Sequence, residues 1–369
     1  MRYYHLGELV HKQALKYKSK IAVKHHDTGD NWSDLTWGVL SEKVMKAAQA
    51  MAELGVNPND NIGVYSQNMS KYLIADFAAY ANKAVMVPMY ATSSPDQIKY
   101  IVKDASISLI FVGEQFQYNN TYKVQKESAI LKKLIIFDNN VIINPEDKTS
   151  IYFDDFITTG DNSDSLALVQ ARMRQLKSTD LATIIYTSGT TGEPKGVMLN
   201  HSNYIKAFEI HDIRLTELTE KEISMCFLPL THIFEKAWTY YCLTKGITVA
   251  INKDPAKIRQ KIKEIRPTLM SNVPRFWEKV YEGVKETIDN SHGLVKWLFK
   301  DAVRTGKRHN LEFANVGKKA PLGNRIKFNL YKHSIYYLIK RIVGIDRGNF
   351  FPVAGAPLSD NINEFLQSI

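Results

Sequence analysis

The chain has 369 residues, of which 44% are hydrophobic and 23% are charged, and its formal net charge is +10. This composition is typical of a globular protein with room for two core-bearing units. The only two cysteines, Cys226 and Cys242, lack metal-like spacing, so we expect reduced, buried thiols and a cytoplasmic location. No apolar run is long enough for a membrane span, and charge interrupts the N-terminus where a signal peptide needs apolar residues.

The first half of the chain alternates predicted helices and strands. Thr36 caps a predicted helix that ends at Gly55, and a capping box at 94–97 begins another. Strands that are separated by single helices indicate βαβ units and a largely parallel sheet. The predicted strands of this half are 61–65, 84–89, 106–112 and 133–137.

A polar, weakly patterned segment at 139–178 is interpreted as the connection to a second half with the same alternation. We therefore predict an α/β fold of two mostly parallel, doubly wound subdomains, 1–178 and 179–369, with a crevice between them. Predicted strands of the second half are 181–186, 223–228, 247–251, 268–273 and 350–354.

Four positions of the second half that lie in the informative stretches come at or just after predicted strand ends. They are Thr187, His232, Val273 and Gly355. Ligands of open α/β sheets bind at the carboxyl ends of the strands, so we predict that these positions converge on one site.

The most informative segment is 186–197, which reads Tyr-Thr-Ser-Gly-Thr-Thr-Gly-Glu-Pro-Lys-Gly-Val. Glycines let the backbone approach an anion, and hydroxyls with one ammonium suit a polyphosphate. The common phosphate loop does not match, because Pro194 precedes Lys195 and a second strand, not a helix, is predicted from Gly196. The alternative interpretation is a surface turn rich in Ser, Thr and Gly.

This segment resembles the phosphate-binding signature of the adenylate-forming enzymes, which include acyl-CoA synthetases, luciferases and peptide-synthetase adenylation domains. Three further stretches, in family order, are similar to the long-chain acyl-CoA synthetase subgroup. They are Leu-Pro-Leu-Thr-His-Ile-Phe-Glu-Lys-Ala-Trp at 228–238, Arg-Pro-Thr-Leu-Met-Ser-Asn-Val-Pro-Arg-Phe-Trp-Glu-Lys-Val-Tyr at 266–281, and Gly-Ala-Pro-Leu at 355–358. The resemblance covers nearly the whole chain from Leu6 onward.

The resemblance implies a ligase that uses ATP to convert a long-chain fatty acid to acyl-AMP and then transfers the acyl group to CoA. Because the first step joins two anions, we expect the protein to act by positioning and charge neutralisation. Lys195 would neutralise the leaving pyrophosphate, and Mg²⁺ would bridge phosphate oxygens near Thr187. The implied cradle for the β- and γ-phosphates consists of Thr187, Ser188, Gly189, Thr190, Thr191 and Gly192.

The other matched stretches imply residues around the acyl group. His232 would orient the carboxylate or the α-phosphate, and its alternative is a histidine that caps a helix or is buried by Phe234. Trp238 would line the acyl tunnel, and its alternative is the hydrophobic core. Val273 and Pro274 fall in the stretch that resembles the family's acyl channel.

Gly355, Ala356 and Pro357 resemble the turn that packs on adenine, and an ordinary turn is the alternative. The chain reaches Ile369 before the family's Tyr-Gly-x-Thr-Glu motif, its ribose-binding Asp, the hinge and the C-terminal lid with the adenylation lysine. The resemblance therefore implies a truncated large domain that keeps the ATP- and acyl-binding parts and is inactive alone.

The excess positive charge lies in the segment 291–345, where twelve basic residues less Asp301 and Glu312 leave +10. Interleaved aromatic and apolar residues favour peripheral contact with an anionic membrane, and the alternative is a solvated helical face with a core stripe. No nucleic-acid recognition motif accompanies this charge, so we expect no such partner. A homo-oligomer is compatible with the sequence.

Two other functions stay open at this stage. The first is an adenylating ligase for an aryl or amino acid, and the second is a non-catalytic module that binds ATP or docks on a membrane.

Overall fold

The computed structural model of the chain describes residues 4–161, 163–187 and 193–369. The chain divides into two compact units, Met1–Pro255 and Ala256–Ile369. Among the helices within these described ranges, none is both long and apolar enough to cross a bilayer.

The first unit is a mixed α/β structure. Its strands are β1 (Ile21–His25), β2 (Ser33–Thr36), β3 (Asn61–Tyr65), β4 (Val85–Met89), β5 (Leu109–Val112), β6 (Lys133–Ile136), β7 (Ser150–Tyr152), β8 (Leu181–Thr187), β9 (Lys195–Asn200), β10 (Ile223–Cys226) and β11 (Thr248–Ile251). Its α-helices are α1 (Leu9–Tyr17), α2 (Trp37–Glu53), α3 (Ser70–Ala81), α4 (Pro95–Asp104), α5 (Gln115–Glu127), α6 (Phe153–Thr158), α7 (Ser163–Gln175), α8 (His201–Arg214) and α9 (Ile233–Thr244), with a 3₁₀ turn at Leu6–Glu8.

These strands form two sheets. One has seven strands in the order β7-β6-β5-β3-β4-β8-β9, parallel throughout except for the antiparallel β8–β9 pair. In the other, β10, β11 and β1 run parallel and β2 is antiparallel to β1. The predicted α/β fold with mostly parallel sheets is therefore confirmed.

Local sequence signals explain where several helices begin. The Thr36 side chain accepts a hydrogen bond from the Val39 amide at the start of α2. At the start of α4, Ser94 and Gln97 form the predicted reciprocal capping box. The central helix α3 has no polar face, since eleven of its twelve residues are buried and Lys71 is the exception.

The structure corrects the predicted division at 178. The strands β8 and β9 belong to the same seven-stranded sheet as β3 to β7, which they join through the pairing of Met86 with Thr183. In the other sheet, β1 pairs with β11 through Val23 and Val249. Such pairing between distant segments leaves no local pattern in the sequence. The segment 139–178 is also more than a connection, because it contains β7, α6 and α7.

The second unit is mainly helical. Its elements are α10 (Ile258–Ile265), β12 (Leu269–Met270), α11 (Pro274–Asn290), α12 (Gly293–Lys307), α13 (Leu322–Tyr331), α14 (Tyr337–Val343) and α15 (Asp360–Ser368), with π-helical turns at Arg308–Phe313 and Lys332–Tyr336 and a 3₁₀ turn at Ala314–Val316. The two predicted strands of this unit are reduced to a short parallel pairing, with bridges from Leu269 to Phe350 and from Asn272 to Val353. The side chains of Ala302, Tyr331 and Tyr336 form the centre of a small helical core.

Candidate functional site

The candidate phosphate-binding segment joins two antiparallel strands. The strand β8 ends at Thr187, β9 begins at Lys195, and these two residues are direct partners in the register. Directly opposed residues of an antiparallel pair project from the same face, so the hydroxyl and the ammonium share one side of the hairpin. Both residues are exposed. The predicted cradle residues Ser188, Gly189, Thr190, Thr191 and Gly192 lie outside the described residues.

The second strand predicted after the segment is confirmed as β9, which distinguishes this hairpin from the strand–loop–helix of the common phosphate loop. The helix α4 holds both ends of the hairpin loop. The Tyr186 hydroxyl donates to Asp104 Oδ2 over 2.5 Å, and the Tyr100 hydroxyl donates to the Pro194 carbonyl over 3.1 Å. Burial, followed by the hydrogen bond to Asp104, raises the pKa of Tyr186. Two residues one helical turn apart on α4 thus position the strand before the loop and the strand after it.

A buried polar network fixes β8 from its other side. The Thr183 hydroxyl lies 3.0 Å from the Tyr80 hydroxyl and 3.2 Å from the Tyr204 hydroxyl. The Tyr80 hydroxyl in turn lies 3.2 Å from the hydroxyl of Tyr240 on α9. All four side chains are buried. The strand that leads into the loop and the helix that follows His232 are therefore joined through hydroxyl groups.

An ion pair with no solvent exposure completes this network. Lys236 Nζ lies 2.5 Å from Asp76 Oδ2, and the same carboxylate oxygen accepts a hydrogen bond of 2.5 Å from the Tyr240 hydroxyl. Burial raises the pKa of Asp76 even though Lys236 opposes the shift, and burial lowers the pKa of Lys236 against the attraction of Asp76. The pair locks α9 against α3.

His232 is exposed at the N-cap of α9. Its Nδ1 accepts a hydrogen bond of 3.2 Å from the Phe234 amide, which is the helix-cap interpretation of the sequence. Because Nδ1 accepts, the neutral ring carries its proton on Nε2. The orienting role of His232 stays a prediction.

Trp238 has the environment of a core residue. Its side chain is 3% exposed, its Nε1 donates to Ser224 Oγ over 3.0 Å, and its ring packs 5.9 Å from the ring of Tyr241. These contacts match the core interpretation, and the role of Trp238 in an acyl tunnel stays a prediction.

The second unit brings two of the predicted positions together. The bridge between Asn272 and Val353 places the following residues, Val273 and Gly355, at neighbouring strand ends. Gly355 has a φ of +94°, which disfavours a side chain, and a Cβ at this position would lie 3.9 Å from Val273 Cγ1. Pro274 is buried at the first position of α11. A flat turn therefore lies beside the start of a helix.

The remaining residues of this turn, Ala356 and Pro357, are exposed. Arg275 is also exposed and lies 3.3 Å from Glu278, a surface ion pair within one turn of α11. Of the predicted site residues, the structure thus pairs Thr187 with Lys195 in the first unit and brings Val273 beside Gly355 in the second.

Sequence reasoning missed the α4 residues Tyr100 and Asp104 and the pair Asp76–Lys236. A signal for one half of the ion pair was present, because Asp76 is flanked by apolar residues on both sides within its helix (Leu-Ile-Ala-Asp-Phe-Ala-Ala). A lone charge in such a helix needs a buried partner of opposite sign. The role of Tyr100 has no comparable signal.

Cys226 and Cys242 are free and buried, as predicted, and burial raises the pKa of each thiol. Within the ranges that the structure describes, no three His, Cys, Asp or Glu side chains are grouped to hold a metal ion.

The family model of the AMP-binding enzyme matches residues 10–369. The chain belongs to this family. The chain is 29% identical over 351 residues to the long-chain-fatty-acid–CoA ligase ACSBG2 of Homo sapiens, covering 92% of the chain and 51% of the relative. It is 27% identical over 345 residues to long chain acyl-CoA synthetase 3 of Arabidopsis thaliana, covering 90% and 50%.

Solved structures share the fold of the chain. The anthranilate CoA ligase AuaEII in complex with anthranoyl-AMP superposes with a TM-score of 0.65 at 17% identity, covering 76% of the chain and 52% of that structure. A putative long-chain-fatty-acid CoA ligase from Rhodopseudomonas palustris gives a TM-score of 0.60 at 19% identity, covering 73% and 63%. The chain spans about half the length of the two relatives named above, 51% and 50%.

Proposed function

We propose that this chain is the ATP- and acyl-binding portion of a long-chain fatty acid–CoA ligase. The proposal rests on the pairing of Thr187 with Lys195. These two residues lie opposite each other at the loop end of the β8–β9 hairpin, where the buried strand β8 ends. The relatives named as long-chain ligases support the choice of substrate, since each aligns with at least 90% of the chain.

In the proposed first step, a fatty carboxylate oxygen bonds to the α-phosphorus of ATP, the bond from that phosphorus to the bridging oxygen breaks, and pyrophosphate leaves with the electron pair. Both reactants are anions, so a cation close to the leaving group lowers the barrier. We assign this role to Lys195, whose exposed side chain stands at the start of β9. CoA then accepts the acyl group through its thiol, and AMP leaves.

We expect Mg²⁺ to enter with the nucleotide, because this ion keeps several waters and binds substrate phosphates. Thr187 fits such a site, since its hydroxyl is exposed at the carboxyl end of β8. Around the β- and γ-phosphates we propose the cradle that the resemblance implies, Ser188, Gly189, Thr190, Thr191 and Gly192.

The other assignments follow from the same proposal. His232 would donate through Nε2 to the carboxylate or the α-phosphate, because its Nδ1 is occupied by the Phe234 amide. Val273 and Pro274 are proposed to lie beside the acyl chain, and Trp238 to shape the tunnel from within the core. The adenine is proposed to pack on the flat turn Gly355, Ala356 and Pro357.

The test of the hairpin is the binding of Mg·ATP by this chain. Lys195→Ala should raise the dissociation constant about 10- to 100-fold, since a hydrogen bond to a charged group contributes about 1.5–3 kcal/mol. Lys206→Ala is the matched control, because Lys206 is exposed on α8, the helix that follows β9. Equal affinity of wild type and Lys195→Ala for Mg·ATP would contradict the assignment.

An aryl acid is the second candidate substrate, favoured by the superposition on the anthranilate ligase. ATP–pyrophosphate exchange distinguishes the two when a panel of fatty, aryl and amino acids is offered to a longer form of the protein that includes this chain. Exchange only with aryl or amino acids would reject the long-chain proposal. We expect little acyl-CoA from the 369 residues alone, because they span half of each relative.

A water-insoluble acyl substrate favours a ligase that works at a membrane surface. We propose a cytoplasmic location for this protein. We also propose an anionic membrane as a partner, with contact through the segment 291–345.

A further inference from the structure

The turn that precedes α9 is held by the side chain of one buried asparagine. Asn68, which is 6% exposed, lies between β3 and α3. Its Nδ2 donates to the Leu228 carbonyl over 2.8 Å and lies 3.7 Å from Cys226 Sγ. Its Oδ1 accepts from the Leu230 amide over 2.9 Å. The amide therefore uses both its donor and its acceptor on the short segment 228–230.

This segment leads directly to His232. The His232 amide donates to the Pro229 carbonyl over 2.9 Å, and the Leu228 amide donates to Glu235 Oε2 over 3.2 Å. The turn is thus fixed to the first turn of α9 on one side and to Asn68 on the other. His232 is the N-cap of α9, so the position of its exposed ring follows from the position of this turn.

The helices α3 and α9 run in the same direction. Lys236 Nζ lies 4.9 Å from the centre of the Tyr72 ring and 2.5 Å from Asp76 Oδ2. One turn further along both helices, the Tyr80 hydroxyl lies 3.2 Å from the Tyr240 hydroxyl. Successive turns of α3 therefore contact successive turns of α9, and the two helices begin at the same end of the first unit.

That end is the edge of the seven-stranded sheet at which the candidate phosphate-binding segment begins. The strand β3 leads into α3, β4 is parallel to β3, and β8 is parallel to β4. With β4 alone between them, the carboxyl ends of β3 and β8 lie about 10 Å apart. Thr187 ends β8, and Asn68 follows β3. Asn68 therefore ties the turn before His232 to the edge of the sheet that carries Thr187.

We propose that Asn68 is a positioning residue for the formation of acyl-AMP. By holding the segment 228–230, it fixes the ring of His232 where the reacting carboxylate and α-phosphate would meet. This inference rests on the proposed function, from which it takes the orienting role of His232. A rigid turn matters because a displacement of about 1 Å can cost about 100-fold in rate.

The first test measures the His232 ring in this chain by NMR with ¹⁵N-labelled histidine at about pH 8. His232→Gln identifies the signal by its loss. In wild type, Nδ1 should have the shift of an unprotonated nitrogen, because it accepts from the Phe234 amide. Asn68→Leu removes both hydrogen bonds of the amide, so the Nδ1 and Nε2 shifts should approach each other as the loosened ring exchanges tautomers.

Asn61→Leu is the matched control. Asn61 begins β3 at the opposite edge of the same sheet, and its amide donates to the Ala105 carbonyl over 2.7 Å. The His232 shifts should be those of wild type in this variant. Circular dichroism of every variant checks that the fold is intact.

The second test is ATP–pyrophosphate exchange with a fatty acid, in the longer form of the protein that includes this chain. Asn68→Leu should lower kcat about 10- to 100-fold. The KM for ATP should stay within about threefold, because the hairpin of Thr187 and Lys195 is held by α4 instead. In the His232→Gln background, Asn68→Leu should have little further effect on kcat, since it acts through the ring that is already gone.

Asn68→Asp gives an intermediate variant that also serves if Asn68→Leu does not fold. It keeps the acceptor for the Leu230 amide and loses the donor to the Leu228 carbonyl, so its kcat and its His232 shifts should fall between those of wild type and Asn68→Leu.

Unchanged His232 shifts or an unchanged kcat in the folded Asn68 variants would overturn the proposal. So would an equal loss of kcat with and without His232, which is the result expected of a purely structural residue. If wild type exchanges with no carboxylic acid, the proposed function fails, and the His232 shifts still decide whether Asn68 positions the ring.

Discussion

Lys236 of the first unit and the basic residues of 291–345 in the second unit lie in opposite surroundings. In the first unit, Lys236 is fully buried and paired with Asp76 between two helices. In the second unit, the segment 291–345 has twelve basic residues and two acidic ones, and most of the basic side chains are exposed. Removal of one member of the buried pair leaves an uncompensated charge in the core, whereas the ammonium group of an exposed lysine stays hydrated. Lysine therefore stabilises the fold at position 236 and contributes to the surface potential in 291–345.

The strongest test of this comparison is Lys236→Met. It should destabilise the first unit by about 3–5 kcal/mol, because Asp76 would stay buried without its cation. Asp76→Leu/Lys236→Met should recover much of that loss, since it removes both charges. Urea denaturation measures both changes, and Lys300→Met, an exposed site on α12, is the control. A loss below about 1 kcal/mol for Lys236→Met would place the pair among ordinary surface ion pairs.

The second-largest effect is expected in the pH dependence of the unfolding free energy of the first unit. Burial, with a smaller contribution from His5, lowers the pKa of His201 to about 3, while nearby Asp180 acts in the opposite direction. The ordinary pKa of 6.5 applies when the chain unfolds, so the unfolded state binds the proton first as pH falls below 6.5. Stability should therefore fall by about 1.4 kcal/mol per pH unit from this group between pH 6 and pH 5.

The measurement is the unfolding free energy of wild type and His201→Asn across that pH range. The variant keeps a side chain that can accept the hydrogen bond that Leu6 N gives to His201 Nδ1. Wild type should show the steeper slope, and parallel slopes would mean that His201 is protonated in the folded chain.

The smallest effect is expected on the surface of the second unit. Lys300→Gln/Lys332→Gln should change the unfolding free energy by no more than about 0.5 kcal/mol, because both side chains are exposed. At low salt the variant should have the higher unfolding free energy, because the substitutions remove two cations from a segment where repulsion between cations is then strongest. A destabilisation above about 1 kcal/mol would show that these lysines hold the fold as Lys236 does.

Local signals predicted the elements around the candidate site well. The caps at Thr36 and Ser94 and the strand predicted from Gly196 follow from neighbouring residues, and the structure confirms them, with the strand beginning one residue earlier at Lys195. The division at 178 was wrong, because β8 joins β4 through Met86 and Thr183, nearly a hundred positions apart in the chain. The contact from Tyr100 to Pro194 was missed for the same reason.

The sequence by itself determined the candidate phosphate-binding segment, the alternation of helices and strands and the position of the excess charge, since each depends on adjacent residues. Only the tertiary structure decided that Lys236 is buried against Asp76 and that Leu322, Ile326 and Leu330 face outward. Periodicity identifies the residues that share one face of a helix. Which face enters the core depends on contacts made far away in the chain.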